Sequence, residues 1–118
     1  MATKVRDIND DHKIDANTDV RLTITIGNLQ IGGSKVKWKD DNSLLTQGPV
    51  FDLLLGKGAD VVGRKLNIVT NFFDQNPNSN FISGMYDFNN GENPIHVYFD
   101  SVESDKDFFV FNIEITFK

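Results

Sequence analysis

Hydropathy with a period of two predicts an all-β fold: an antiparallel two-sheet β-sandwich of about seven strands, immunoglobulin-like or related, with a small β-barrel as the alternative. Three observations carry this. Val20, Leu22, Ile24 and Ile26 alternate with Arg21, Thr23 and Thr25. Phe109, Phe111, Ile113, Ile115 and Phe117 alternate with residues that include Asn112, Glu114 and Thr116. No window of helical length carries an apolar stripe at helical spacing.

Along the chain, residues 1–19 are acidic and without period, which predicts an N-terminal arm with little to hold it still, ahead of one sandwich domain over 20–118. Segment 20–26 is the first strand. Segments 35–39, 50–55, 65–73, 81–88 and 94–99 are each rich in β-branched or aromatic residues and bounded by Gly, Asn, Asp or Pro, so each predicts a further strand. Segment 40–47 predicts one short helical turn capped by Asp40 or Asp41. Segments 74–80 and 89–94 are built from Asn, Asp, Gly and Pro and predict turns, because those residues tolerate positive φ or cannot continue a ladder. Segment 109–117 has the longest clean alternation and predicts a half-buried strand in the middle of the fold.

A length of 118 residues is enough for one hydrophobic core and does not call for a second domain. With no cysteine, disulfides, thiol nucleophiles and thiolate metal sites are excluded. A net charge of −5 argues against nucleic acid, since phosphate neutralisation needs a basic face. No apolar run approaches the roughly 20 residues of a membrane span, and the first residues lack the apolar core of a signal peptide. A cytoplasmic location is the default expectation. Phe occurs 10 times against 2 Tyr and 1 Trp, which predicts that the aromatic residues point into the core.

The most specific local pattern is the alternation of Asp7, Asn9 and Asp11, followed by Lys13, Ile14 and Asp15. Calcium needs several hard oxygens at short range, and this pattern resembles the calcium loop of EF-hand and dockerin sequences. The resemblance implies that Asp7, Asn9, Asp11 and Asp15 supply side-chain ligands and Lys13 a carbonyl. His12 stands where the turn glycine belongs and Thr18 where the bidentate acid belongs, so the ligand set is incomplete. A second acidic group spans 100–107, where Asp100, Glu103, Asp105 and Asp107 predict either a solvated loop or an oxygen-rich loop end.

The Gly-rich segment 56–65 has the glycine spacing of a phosphate loop, but Arg64 and Lys65 replace the required Lys and hydroxyl pair, so it predicts a plain connection. His96 and Tyr98 share a phase opposite to Ile95, Val97 and Phe99. If the apolar set faces the core, the His and Tyr face outward as a ligand-contact pair. Lys35, Lys37 and Lys39 alternate with Val36 and Trp38, which predicts either a lysine-guarded edge strand or a face for an anionic partner. No Ser-His-Asp order and no two-His metal spacing is present. The leading expectation is therefore a non-catalytic binding or assembly module acting through a protein partner or self-association, with no cofactor. A calcium-dependent ligand-binding domain using the acidic loops is the alternative, and a small hydrolase the third.

Overall fold

The computed structural model describes residues 3–27, 30–73, 80–102 and 107–118. Its elements are β1 (Thr3–His12), β2 (Asp19–Ile26), β3 (Ile31–Trp38), β4 (Leu44–Gly48), β5 (Leu53–Lys57), the single-turn α1 (Gly58–Val61), β6 (Lys65–Phe73), β7 (Phe81–Asp87), β8 (Ile95–Ser101) and β9 (Phe108–Phe117). A five-stranded sheet has the order β1-β9-β6-β3-β4 and a four-stranded sheet the order β5-β2-β7-β8. The two sheets pack face to face over one core as a sandwich, not a closed barrel. Every described pairing is antiparallel except β1 with β9, which runs parallel from Thr3↔Phe108 to His12↔Phe117.

Strand β9 sits between β1 and β6, and Phe109, Phe111, Ile113, Ile115 and Phe117 are all fully buried. Opposite them, Val20 and Leu22 from β2, Ile82 and Tyr86 from β7, and Phe88 complete the core. Phe72 meets Phe111 edge-on at 5.1 Å, and Phe117 lies between Trp38 at 5.9 Å and Phe88 at 5.5 Å. These tilted contacts are the geometry that aromatic quadrupoles favour. One polar chain crosses the core. Tyr86 Oη donates to Thr70 Oγ1 at 2.7 Å, and Thr70 shares a 2.8 Å bond with Ser34. A side chain at Gly84 would collide with the Tyr86 ring, so glycine there lets the ring lie against its own strand.

Two strands exceed the predicted seven. Residues 3–12, expected as an arm, form β1, because ten consecutive positions find ladder partners on β9. Segment 40–47, expected as a helical turn, makes a turn at 39–41 and then β4. Asn42 adopts φ 56°, Asp41 Oδ1 accepts the Ser43 amide, and the free edge of β3 takes up the following residues. The strand predicted at 50–55 begins only at Leu53, since Asp52 has φ 52° and breaks the extended run. Segment 56–65 is the expected connection: β5, one turn of α1, and a positive-φ Gly63 before β6. Most of the 74–80 turn, and Glu103 and Asp105 of the second acidic group, lie outside the described residues. Among the described residues no helix is long and apolar enough to cross a membrane.

Candidate functional site

Strand β8 is the edge of the four-stranded sheet, and β1 is the edge of the five-stranded sheet. The two edges are joined by side chains. In β8 the phase is the reverse of the one hydropathy predicts: Ile95, Val97 and Phe99 are exposed, while His96, Tyr98 and Asp100 are half-buried. The cause is the facing strand. Alternate residues of β1, namely Lys4, Arg6, Asp10 and His12, bond to β8, and only polar partners can satisfy them.

The seam is graded along its length. At one end Lys4 Nζ donates to Asp100 Oδ1 at 3.1 Å and to the Ser101 carbonyl at 3.3 Å. Next, an Arg6 guanidinium N–H donates to the Phe99 carbonyl at 2.7 Å. Tyr98 Oη then donates to Asp10 Oδ2 at 2.8 Å, and His96 Nδ1 lies 3.5 Å from the same oxygen. Finally His96 Nε2 and His12 Nδ1 meet at 2.8 Å, and His12 Nε2 lies 2.9 Å from the Asn90 carbonyl oxygen.

Hydrogen-bond accounting assigns the protons. The Asn90 carbonyl only accepts, so His12 Nε2 carries hydrogen. In a neutral His12, Nδ1 is then bare and accepts from His96 Nε2–H. His12 itself is 1% exposed, with the Phe88 ring at 4.8 Å and the Phe117 ring at 5.9 Å. Burial pushes its pKa below the usual value; the nearby His96 acts the same way, against the opposing pull of the Asn90 carbonyl and Asp10. For Asp10, burial pushes upward, but hydrogen bonds from Tyr98 and the Asp11 amide together with His96 prevail and leave its pKa lowered. Burial first, and then the bond to Asp10, hold the Tyr98 hydroxyl far above its ordinary range.

Asn90 was not legible as a functional residue, yet it organises the whole corner. Its side-chain N–H donates to the Asp15 carbonyl at 3.0 Å and to Thr18 Oγ1 at 2.8 Å, and its oxygen accepts the Asp15 amide at 2.7 Å. The connection from β1 to β2 is thereby fixed over His12. The only sequence signal was the Asn-Asn-Gly run, in which Asn89 and Gly91 both have positive φ.

The predicted calcium set does not converge. Asp7, Asn9 and Asp11 occupy alternate positions of an extended strand, so their Cα atoms step about 7 Å apart along it. Asp7 accepts from Asn112 at 3.0 Å, Asp11 pairs with Lys118 at 2.9 Å, and Asp15 caps the turn at Asn17. Among the described residues no cluster of three or more His, Asp or Glu is placed to hold a metal.

Of the predicted lysines, Lys35 is exposed, Lys37 donates to Asn42 and Lys39 pairs with Glu114. They lie on the outer face of the five-stranded sheet but not on an edge, because β4 covers β3. Across that face Asn67 donates to Asn112, which donates to Asp7, in a ladder over three strands. Lys37, Lys39, Glu114 and Asn9 complete an open polar depression there. Both signs of charge line it, which dilutes any preference for an anionic partner.

His96 and Asp10 have the arrangement of a base and its orienting carboxylate, but the place a nucleophile would take against His96 Nε2 is filled by His12 Nδ1. The inward side of β8 is thus engaged by β1, and its outward side carries apolar residues exposed to solvent. Phe99 is 67% exposed, Ile95 47% and Val97 40%, beside Phe81 at 66% and Met85 at 40% on β7. Val97 is paired with Met85, which is paired in turn with Thr25 of β2. These five side chains present on the order of 500 Å² of apolar surface, within the range of the largest patch on a typical monomer. Composition had placed the phenylalanines inside. Comparison of the chain with protein-family models, with curated proteins and with solved structures gives no match.

Proposed function

We propose that the domain is a non-catalytic binding or assembly module that acts through protein–protein contacts on the outer face of its four-stranded sheet. The observation that carries this reading is the row of Ile95, Val97 and Phe99 turned to solvent beside Phe81 and Met85. A patch of this size is in the range of the largest on a monomer, which is often a functional surface.

The occupant the reading commits to is the same face of a second copy. With its rim of Thr23, Thr25, Ser83 and Ser101, the patch approaches the roughly 800 Å² per partner of a standard interface. Among the described residues its two ends also differ in charge: Lys4 and Arg6 with Asp100 stand near Phe99 and Ser101, whereas Asp87 and Asp52 with Arg21 stand toward Ile95. A two-fold axis lying in the plane of the contact, perpendicular to the strands, brings each end over the opposite end of its partner in an isologous interface.

Sedimentation velocity over a wide concentration range tests this. The native chain is expected to show a concentration-dependent dimer, and Phe99→Asp and Val97→Asp are expected to sediment as monomers with unchanged unfolding transitions. A native chain that stays monomeric at high concentration overturns self-association. A dimer that survives both substitutions overturns the choice of face.

A further inference from the structure

From the seam geometry we infer that the His12–His96 pair is a proton-counting latch, and that a second proton on the pair releases β1 from β8. The space between His12 Nδ1 and His96 Nε2 is 2.8 Å, which holds one hydrogen. A first extra proton has a place: on His96 it sits at Nδ1, facing the Asp10 carboxylate. The next one has none. It must go to His12 Nδ1, since Nε2 already donates to Asn90, and there it points at the His96 N–H. The bond becomes a contact between two donors and two cations, one of them nearly sealed from water.

The surroundings offer little relief. From β1 only Asp10 faces the pair, and it is already engaged by Tyr98. From β8 come His96 and Tyr98, with the Tyr86 ring of β7 5.7 Å behind Tyr98. From the β7–β8 loop come the Asn90 carbonyl and the Phe88 ring, and from β9 the Phe117 ring. The Lys118 amide donates to the His12 carbonyl, while its ammonium turns to Asp11. Lys13, Asp15 and Glu92 on the adjoining loops are exposed. The lowered pKa of His12 agrees with this count.

Release is local because β1 is lightly anchored. Of its ten residues only Ile8 and His12 are buried, whereas β9 behind it buries five large side chains. Opening β1 leaves the core layers of β9, β6 and β7 in place and frees the outer edge of β9. This latch does not rest on the assembly reading, since it acts within one chain.

Amide hydrogen exchange resolved by NMR tests it on the full chain. Opening coupled to one proton on His12 should raise the exchange of β1 amides about tenfold between pH 7.5 and 5.5, after correction for intrinsic rates, with β6 amides as the reference for global unfolding. In His96→Gln the amide can donate to neutral His12 or turn its oxygen to protonated His12, so the rise should shrink to about twofold or less. At neutral pH the imidazole nitrogen shifts of His12 should report hydrogen on Nε2. If β1 exchange tracks β6 at every pH, or if His96→Gln keeps the full rise, the latch is refuted. Hydrogen on His12 Nδ1 at neutral pH refutes it as well, independently of any variant.

Discussion

Two phenylalanines of the same chain are expected to behave in opposite ways when cut back to alanine. Phe111 is fully buried on β9, with the rings of Phe72 and Phe109 each 5.1 Å away and that of Tyr98 at 6.3 Å. Its neighbours belong to two central strands and to the seam, so the site has little freedom to collapse. Phe111→Ala should cost about 3–5 kcal/mol, the range for a large aromatic removed from a packed core. For a domain of this size each kcal/mol lowers Tm by about 4 °C, so the fall should be about 12–20 °C. Phe99, 67% exposed on β8, should cost less than about 0.5 kcal/mol as Phe99→Ala. Trp38, the only tryptophan, is buried against Phe117 and Arg64, so its fluorescence reports the transition in urea. Both variants should keep the native m-value, with only the midpoint of Phe111→Ala displaced. Equal losses, or a larger loss at Phe99, would refute the phase of β8 and with it the apolar contact face.

Three further outcomes are expected. His12 has a lowered pKa in the fold, so the unfolded chain takes up its proton first; the stability it contributes is complete above about pH 6.5 and declines as pH falls below that value. Asp10, Asp100 and Glu114 are lowered as well, so their contribution is lost only in more acid solution, below about pH 4; urea midpoints at a series of pH values should therefore fall in two stages, and a flat profile between pH 7 and 5 contradicts the burial of neutral His12. Deleting residues 1–15 should lower stability by at least about 2 kcal/mol, the low end for losing one buried isoleucine, whereas an unchanged midpoint in denaturant would mean that β1 is not held. Millimolar calcium should leave Tm unchanged, because Asp7, Asn9 and Asp11 are strung along a strand; a saturable rise that vanishes in Asp11→Ala would show that they gather around an ion after all.

The chain's local pattern was enough wherever one face of a strand is apolar and the other polar. In β9 the Phe109 to Phe117 set leaves only one way to meet a core, and its burial follows from period two alone. The same holds for Val20 and Leu22 in β2 and for Val36 and Trp38 in β3. All-β class, the two-sheet sandwich and the turn at 89–94 were therefore legible in sequence. Strand β1 was not, because both of its phases are polar and its order comes from a ladder with β9 about a hundred residues away. Nor was β4, which exists because β3 offers an edge to a short and weakly patterned segment. Strand β8 is the instructive case. Its apolar phase faces water and its polar phase faces inward, the reverse of the usual rule, because the surface that receives it is lined by Lys4, Arg6, Asp10 and His12. Which side of an edge strand is inside depends on what the other sheet brings to meet it, and only the tertiary structure places Asp10 and His12 against His96 and Tyr98 across more than eighty residues of sequence.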